Sequence, residues 1–332
     1  MAYDGRILRR AQQRFEEDRR LREEDFHRRQ EGIYDRQPRL RGIDRELRST
    51  MSHIISSALR RGTDPRPAVA VLREKNLKLQ AEKKELLRGL GLPADALEEK
   101  PACALCGDTG FRDGSVCRCL RAYYAREQKK ELSALLDLGS QSFDTFSLDW
   151  YSDRLAPDYG ISPRQNMETV YEVCANYASH FGGRGGNLLL FGNPGLGKTF
   201  LSACIAREVS DGGFSVVYDT AGHIFDRFES RKFGREEDGE VDADVERILS
   251  CDLLILDDLG TEMTTSFVVS ALYQILNTRL MTEKSTILNT NLSPGEIARR
   301  YSAQIASRIE GEYRLLPFFG EDIRKLKRER AQ

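Results

Sequence analysis

Three groups of residues in this chain have the types and spacing for chemistry. The first is Gly192-Asn-Pro-Gly-Leu-Gly-Lys198-Thr199, which fits G-x-x-x-x-G-K-[ST]. Glycines let a backbone curl until successive N–H groups point at one anion. A helix opening at Lys198 aims its positive end at the same anion. The Lys198 ammonium would then reach the β- and γ-phosphates of a nucleoside triphosphate, and the Thr199 hydroxyl would ligate Mg²⁺. The expected nucleotide-binding residues are Gly192, Asn193, Pro194, Gly195, Leu196, Gly197, Lys198, Thr199 and Phe200. The competing reading is a Gly-rich turn that meets the pattern by chance.

The second group begins 59 residues after Lys198, where the apolar run Asp252–Leu256 ends in Asp257 and Asp258. A carboxylate at the C-terminal end of an adjacent parallel strand lies at the ligand edge of such a sheet. Asp257 would hold Mg²⁺ through water, and Asp258 would orient or deprotonate the attacking water. The plain alternative is a pair of acids capping a strand. Another strand ends in Asn289-Thr290-Asn291. An amide there could fix the attacking water; Asn291 is the first choice, Asn289 the second, and a simple turn asparagine the alternative.

The third group is Cys103, Cys106, Cys117 and Cys119, four of the seven cysteines within 17 residues. Two close pairs bracketing a Gly- and Asp-rich turn can place four thiolates around one tetrahedral Zn²⁺ with no open position, a structural site. Unliganded thiols and an iron–sulfur cluster are the alternatives. Cys174, Cys204 and Cys251 sit singly among apolar residues.

The elements that must carry these groups are legible in outline. Residues 5–31 read as a solvated helix with a thin apolar stripe, interrupted at Pro38. Leu40, Ile43, Leu47, Met51, Ile54 and Ala58 recur at helical spacing, and Gly62 and Pro65 close that helix. A third helix runs from about Arg66 to Arg88, with Leu72, Leu79 and Leu86 at heptad intervals and Val69, Asn76, Lys83 and Leu90 at the alternate position. These helices form either a hairpin that buries its own stripes or an arm that docks on another protein. Residues 89–100 read as a linker, 120–136 as a helix, 141–151 as an extended aromatic segment and 162–181 as a helix. From Asn187 strands and helices alternate: strands over 187–191, 214–218, 252–256, 285–290 and 313–317, helices over 198–209, 221–232 and 265–281, two short helices before the last strand, and an acidic loop over 235–244. Strands without polar alternation, each followed by a helix, predict an α/β fold with a parallel sheet covered on both faces.

GNPGLGKT, LLILDDLG, TNLS, ASRI and GEDIR, in that order, resemble the helicase-loader family of AAA+ ATPases, the DnaC/DnaI type, whose close relatives are the IstB-type transposition helpers. The resemblance covers about residues 142–324, and FDTFSLDWY resembles the segment leading into the ATPase. The cysteine cluster behind a helical N-terminus is similar to loader variants with an extra module. The resemblance implies an AAA+ P-loop ATPase with a parallel five-stranded sheet over 139–332, preceded by a helical partner-binding arm (1–100) and a zinc module with its connecting helix (101–138). It implies ATP, Mg²⁺ and Zn²⁺ as cofactors. Asp257 then matches the magnesium-site acid, Asp258 the catalytic acid, Asn291 the γ-phosphate sensor, Arg308 an arginine finger entering a neighbouring copy, and Arg324 the second sensor. Many such ATPases carry Glu at the second acidic position. Arg308 could instead be a surface residue, and Arg324 could pair with Glu321 or Asp322. The implied function is ATP-dependent loading of a replicative hexameric helicase, held by the arm, onto single-stranded DNA, with self-assembly through the ATPase. The alternative is an IstB-like transposition helper, and an ATP-binding adaptor with little turnover is a third reading.

For DNA contact, Phe225, Arg227, Phe228, Arg231 and Lys232 place aromatic and basic residues on one helix, as stacking and phosphate pairing require. The other reading makes the Phe residues core and the charges a solvated face. Arg324–Arg330 is a basic stretch that could track a backbone.

The 332 residues carry 51 Lys+Arg and 52 Asp+Glu, a formal charge of −1. The balance excludes a uniformly basic or wholly acidic protein, but it hides a division: residues 1–100 are net +6 and residues 101–332 net −7. No apolar run is long enough for a transmembrane helix, and the first twenty residues lack the apolar centre of a signal peptide. The expectation is a cytoplasmic protein with no membrane partner.

Overall fold

The computed structural model describes residues 3–58, 66–135, 141–182, 185–234 and 240–330. The expected stop at Gly62 and Pro65, the boundary at 138/139 and residues 235–239 of the acidic stretch lie outside the described residues. So do the side chains of Met51, Ile54, Ala58 and Val69.

Helices α1 (Gly5–Arg36), α2 (Pro38–Ala58) and α3 (Arg66–Gly89) come first. Pro38 opens α2, where its missing N–H costs nothing. Strands β1 (Phe111–Arg112) and β2 (Ser115–Val116) follow as a small hairpin, then α4 (Arg118–Leu135). Asp113-Gly114 turns the hairpin with positive φ at both residues, the backbone such a tight turn requires. Residues 141–151 are not extended: they form two 3₁₀ turns, Phe143–Thr145 and Leu148–Trp150. The rest is α5 (Pro163–Ser179), β3 (Asn187–Gly192), α6 (Lys198–Asp211), β4 (Val216–Thr220), α7 (Ala221–Phe233), α8 (Glu240–Ser250), β5 (Leu253–Leu259), α9 (Ser266–Met281), β6 (Ser285–Thr290), α10 (Pro294–Arg300), α11 (Ala303–Glu312), β7 (Tyr313–Phe318) and α12 (Ile323–Arg330). The expected acidic loop is therefore helical from Glu240 onward. Ser162 and Ser293 open α5 and α10 with capping boxes to Gln165 and Glu296.

Two compact units divide the chain: residues 1–13 with 116–332, and residues 14–115. The larger holds a five-stranded sheet in the order β4-β5-β6-β3-β7, with every neighbouring pair parallel. Alternate residues of the buried strands enter opposite cores. Leu189, Leu254, Leu256 and Leu288 pack with residues of α7, α8, α9 and α11. Leu188, Leu190, Leu253, Ile255 and Ile287 pack with residues of α5 and α6. This two-sided burial is why the strands read as continuous apolar runs. The first turns of α1 go with this unit. Ile7 and Ala11 are fully buried, the Tyr124 hydroxyl accepts from the Asp4 N–H, and Arg247 and Glu131 pair with Asp4 and Arg10.

In the unit of residues 14–115, α2 and α3 pack on each other, and Tyr34, Leu40, Leu87 and Leu97 form a small core. Leu97 lies in the expected linker, which is instead folded back: Leu90, Leu92 and Ala96 also pack on this core. Of the heptad leucines Leu79 is buried, and the deepest leucine of the last turns is Leu87 rather than Leu86. Lys83 reaches Asp44 at 2.6 Å, and Asp44 also accepts from the Tyr34 hydroxyl at 2.6 Å.

Candidate nucleotide site and thiolate cluster

The P-loop joins β3 to α6. Gly192, Gly195 and Gly197 all have positive φ. A side chain at Gly192 would collide with the Phe318 carbonyl, one at Gly195 with the Asp322 carboxylate, and one at Gly197 with the Tyr151 hydroxyl. The loop is thus clasped between β7, the start of α12 and the aromatic segment, and its backbone forms the kind of cradle a phosphate needs. Lys198 donates to the carbonyls of Gly192 at 2.6 Å and Asn193 at 2.8 Å. Burial pushes its ammonium down to about 8, against the opposing charges of Asp258 and Asp257.

A cleft of about 480 Å³ opens on this loop. Pro194 to Phe200 form its floor, and Asp258, Thr261, Asn291, Arg324 and Lys327 stand around it. The aromatic segment supplies a further wall through Phe146, Trp150 and Tyr151. The Tyr151 hydroxyl donates to the Leu196 carbonyl at 2.9 Å. Lys327 and Arg330 lie over the Trp150 ring, at 5.5 and 4.3 Å from its centre. The Arg324 backbone N–H is bonded to Asp322, while its side chain lines the cleft.

Asp257 and Asp258 occupy different environments. Between Leu256 and Leu259 the pairing with β6 slips, and Asp258 has φ +53. Such a bulge re-aims side chains. Asp257 is turned inward, 5% exposed, with the Thr199 hydroxyl 3.4 Å from its Oδ1. Asp258 is exposed at the cleft. Partial burial, then the neighbouring Asp257 charge, raises its pKa above the ordinary carboxylate value. Asn289 is buried and donates to Asp257 at 2.9 Å, so it serves the acid rather than the cleft, whereas Asn291 lines the cleft.

Arg308 lies elsewhere, on α11. Its guanidinium donates to the Tyr273 hydroxyl at 2.8 Å and to Asn277 Oδ1 at 3.2 Å, and stands 4.6 Å from the centre of the Tyr273 ring. The stacking-and-phosphate pattern on α7 does not form a surface. Phe225 and Phe228 are core residues, Arg227 is paired with Asp244, and Arg231 is paired with Asp242. Their helical spacing put the two rings on the inward face. Lys232 alone of the five stands over rings outside the core, the exposed Phe233 and the half-buried Phe267.

The sulfur atoms of Cys103, Cys106, Cys117 and Cys119 all lie within 4.8 Å of one another. Zn–S bonds of about 2.3 Å in a tetrahedron would set the sulfurs about 3.8 Å apart, within that limit. Asp108 accepts from the N–H groups of Ala102 and Cys103 at 2.9 and 2.7 Å, which shapes the first pair. The donor sets therefore fit their groups: soft thiolates for zinc, and the Thr199 hydroxyl and Asp257 carboxylate for a hard cation such as Mg²⁺.

Missed by the sequence reading were Thr261 and Lys327 around the cleft, and Tyr218 and Ser202 behind Asp257. Only the aromatic run 141–151 carried a signal for the cleft wall.

A P-loop between the interior strand β3 and α6, with paired acids on β5, separated from β3 by β6, is the arrangement of an AAA+ P-loop fold. Residues 169–309 match the family described as IstB-like ATP binding protein. Through this part the chain is similar to the IstB-like ATP-binding proteins and to the DnaC and DnaI helicase loaders. The replicative helicase loader DnaI of Bacillus subtilis is 28% identical over 123 residues, 36% of this chain and 38% of that protein. A putative insertion sequence ATP-binding protein of Sinorhizobium fredii is 27% identical over 111 residues, 33% of this chain and 35% of that protein. The replicative helicase loader DnaC of Escherichia coli K12 is 25% identical over 135 residues, 40% of this chain and 54% of that protein. The chain thus spans between about a third and about half of the length of these relatives. No helix among the described residues is long and apolar enough to cross a membrane.

Proposed function

We propose that this chain is an ATPase that loads a replicative hexameric DNA helicase onto single-stranded DNA during initiation or restart of replication. The observation that supports this most is a P-loop unit similar to the IstB-like ATP-binding proteins in one chain with a separate helical, cysteine-bearing unit, residues 14–115. The similarity to two helicase loaders points the same way.

In this reading the P-loop N–H groups and Lys198 bind the phosphates, and Phe146, Trp150 and Tyr151 wall the rest of the nucleotide. Thr199 and Asp257 hold Mg²⁺, which supplies charge neutralisation at the phosphates. Asp258 orients or deprotonates the attacking water, and Asn291 fixes it. Arg324 faces the nucleotide from its own chain. Arg308, which lies away from its own cleft, is the finger for a neighbouring copy, so that hydrolysis depends on assembly. The helical arm holds the helicase, and hydrolysis releases the loader. The thiolate cluster holds one structural Zn²⁺, and the protein acts in the cytoplasm without a membrane.

The test is co-purification of the full-length chain with hexameric helicases in ATP and in ADP, with turnover measured with and without single-stranded DNA. ATP-dependent capture of a helicase is expected. ATP-dependent assembly on double-stranded DNA with a transposase, and no helicase capture, would establish the second reading, which the insertion-sequence relative and the family match favour. Binding of ATP with no turnover under any of these conditions would leave an adaptor.

A further inference from the structure

Every hydrogen bond to the buried Asp257 carboxylate comes from a different part of the fold. Oδ2 accepts from the Tyr218 hydroxyl at 2.7 Å. Oδ1 accepts from the Asn289 amide at 2.9 Å, from the Asp258 N–H at 3.0 Å and from the Thr199 hydroxyl at 3.4 Å. Ser202 closes a ring. Its hydroxyl oxygen accepts from the Asn289 amide at 2.7 Å and lies 3.1 Å from the Tyr218 oxygen. Tyr218 has one proton and gives it to Asp257. Ser202 therefore donates in that last contact or turns its proton to the Thr199 carbonyl, 3.1 Å away. The ring joins three adjacent strands, β4, β5 and β6, to the P-loop helix α6.

We propose that Tyr218, closed into this ring by Ser202 and Asn289, is the positioning residue that sets the Asp257 carboxylate for the magnesium of the bound nucleotide. The proposal rests on the ATPase reading. A carboxylate turns readily about its last torsion, and either oxygen can then face the ligand. Here Tyr218 engages one oxygen from the inner side, which leaves the other beside Thr199. The orientation of Asn289 is fixed by the same ring. Its NH₂ serves two acceptors, Asp257 and Ser202, and turning the amide over would set its oxygen against the carboxylate. Its Oδ1 is left buried without a bond, a cost the fold carries only if the NH₂ contacts outweigh it. Partners of this kind behind a metal ligand change metal affinity or activity by about 10–100-fold when removed.

A tyrosine that merely filled the core would affect stability and leave metal affinity alone. The decisive variant is Tyr218→Phe in the full-length chain, which keeps the ring of carbons and removes the hydroxyl. The probe is Mn²⁺ with a non-hydrolysable ATP analogue, its affinity read by electron paramagnetic resonance. Mg²⁺-dependence of turnover is measured alongside, as kcat and KM separately. Expected are an affinity for Mn²⁺ about tenfold weaker, a similar rise in the Mg²⁺ concentration for half-maximal turnover, and unchanged binding of the analogue without metal. Unchanged Mn²⁺ affinity in folded Tyr218→Phe protein overturns the proposal. Should that variant not fold, Ser202→Ala opens the ring from the other side, and unchanged Mn²⁺ affinity there overturns it equally. A parent protein with neither turnover nor Mn²⁺ binding would instead refute the ATPase reading.

Discussion

The two compact units keep their shape by different means. The sheet unit covers both faces of its strands with apolar side chains, and a ring of polar groups around Asp257 sits buried inside it. The unit of residues 14–115 has a small core around Tyr34, Leu40, Leu87 and Leu97, supplemented by ion pairs, and it carries Cys103 and Cys106, two of the four clustered thiols. Close packing transmits position to a catalytic side chain. A thin core cannot, and a region with few buried residues gains most from a metal staple. In the proposed function the dense unit carries the chemistry and the other the partner contact.

Four outcomes would break or sharpen this contrast. The largest effect is expected from Arg308→Ala, which should lower turnover of the assembled protein by about a thousandfold while ATP binding survives. Turnover equal to the parent would remove the finger role and with it the dependence of chemistry on assembly. Next, purified protein should hold close to one equivalent of zinc. Cys103→Ser with Cys117→Ser should abolish it and loosen residues 101–119 in amide exchange, while the sheet unit keeps its protection. Loss of protection across the sheet would show that the two units are not separate in stability.

A third outcome concerns pH. The free Lys198 ammonium titrates near 8, below the ordinary lysine value, because burial disfavours its charge. Phosphate binding needs the charged form, so ATP affinity should be flat below pH 8 and fall by up to about tenfold per unit above it. Affinity constant to pH 10 in a calorimetric titration would contradict this. The smallest effect is in the helical unit. Lys83→Leu leaves the buried Asp44 without its ammonium partner, and should destabilise residues 14–115 by about 2 kcal/mol. Thermal unfolding should show this without a change in turnover; equal loss in both units would again erase the contrast.

Signals carried by neighbouring residues were legible in the chain. The P-loop, the acid pair Asp257-Asp258 and the cysteine pairs depend on spacing within a few residues; the structure sets the P-loop and Asp258 at one cleft and gathers the four thiols. Periodicity marked α7 correctly as a helix, yet the spacing alone did not say which face was inward. The structure buries Phe225 and Phe228 and pairs Arg227 and Arg231 with Asp244 and Asp242. The run 89–100 reads as a linker because it contains Gly, Pro and charges. Leu97 nonetheless finds a pocket between helices that are distant in sequence.

By itself, then, the sequence determined that the chain carries a P-loop, paired acids and a four-cysteine cluster on an alternating α/β framework. These follow from local backbone chemistry and from strand burial on two faces. Only the tertiary structure decided that the bulge in β5 turns Asp257 inward and Asp258 outward. It also decided that the aromatic segment walls the cleft, and that Tyr218, Ser202 and Asn289 meet around one carboxylate. Those three come from β4, α6 and β6, and their meeting depends on the register of three neighbouring strands. Register is a property of the packed sheet, which no single segment encodes.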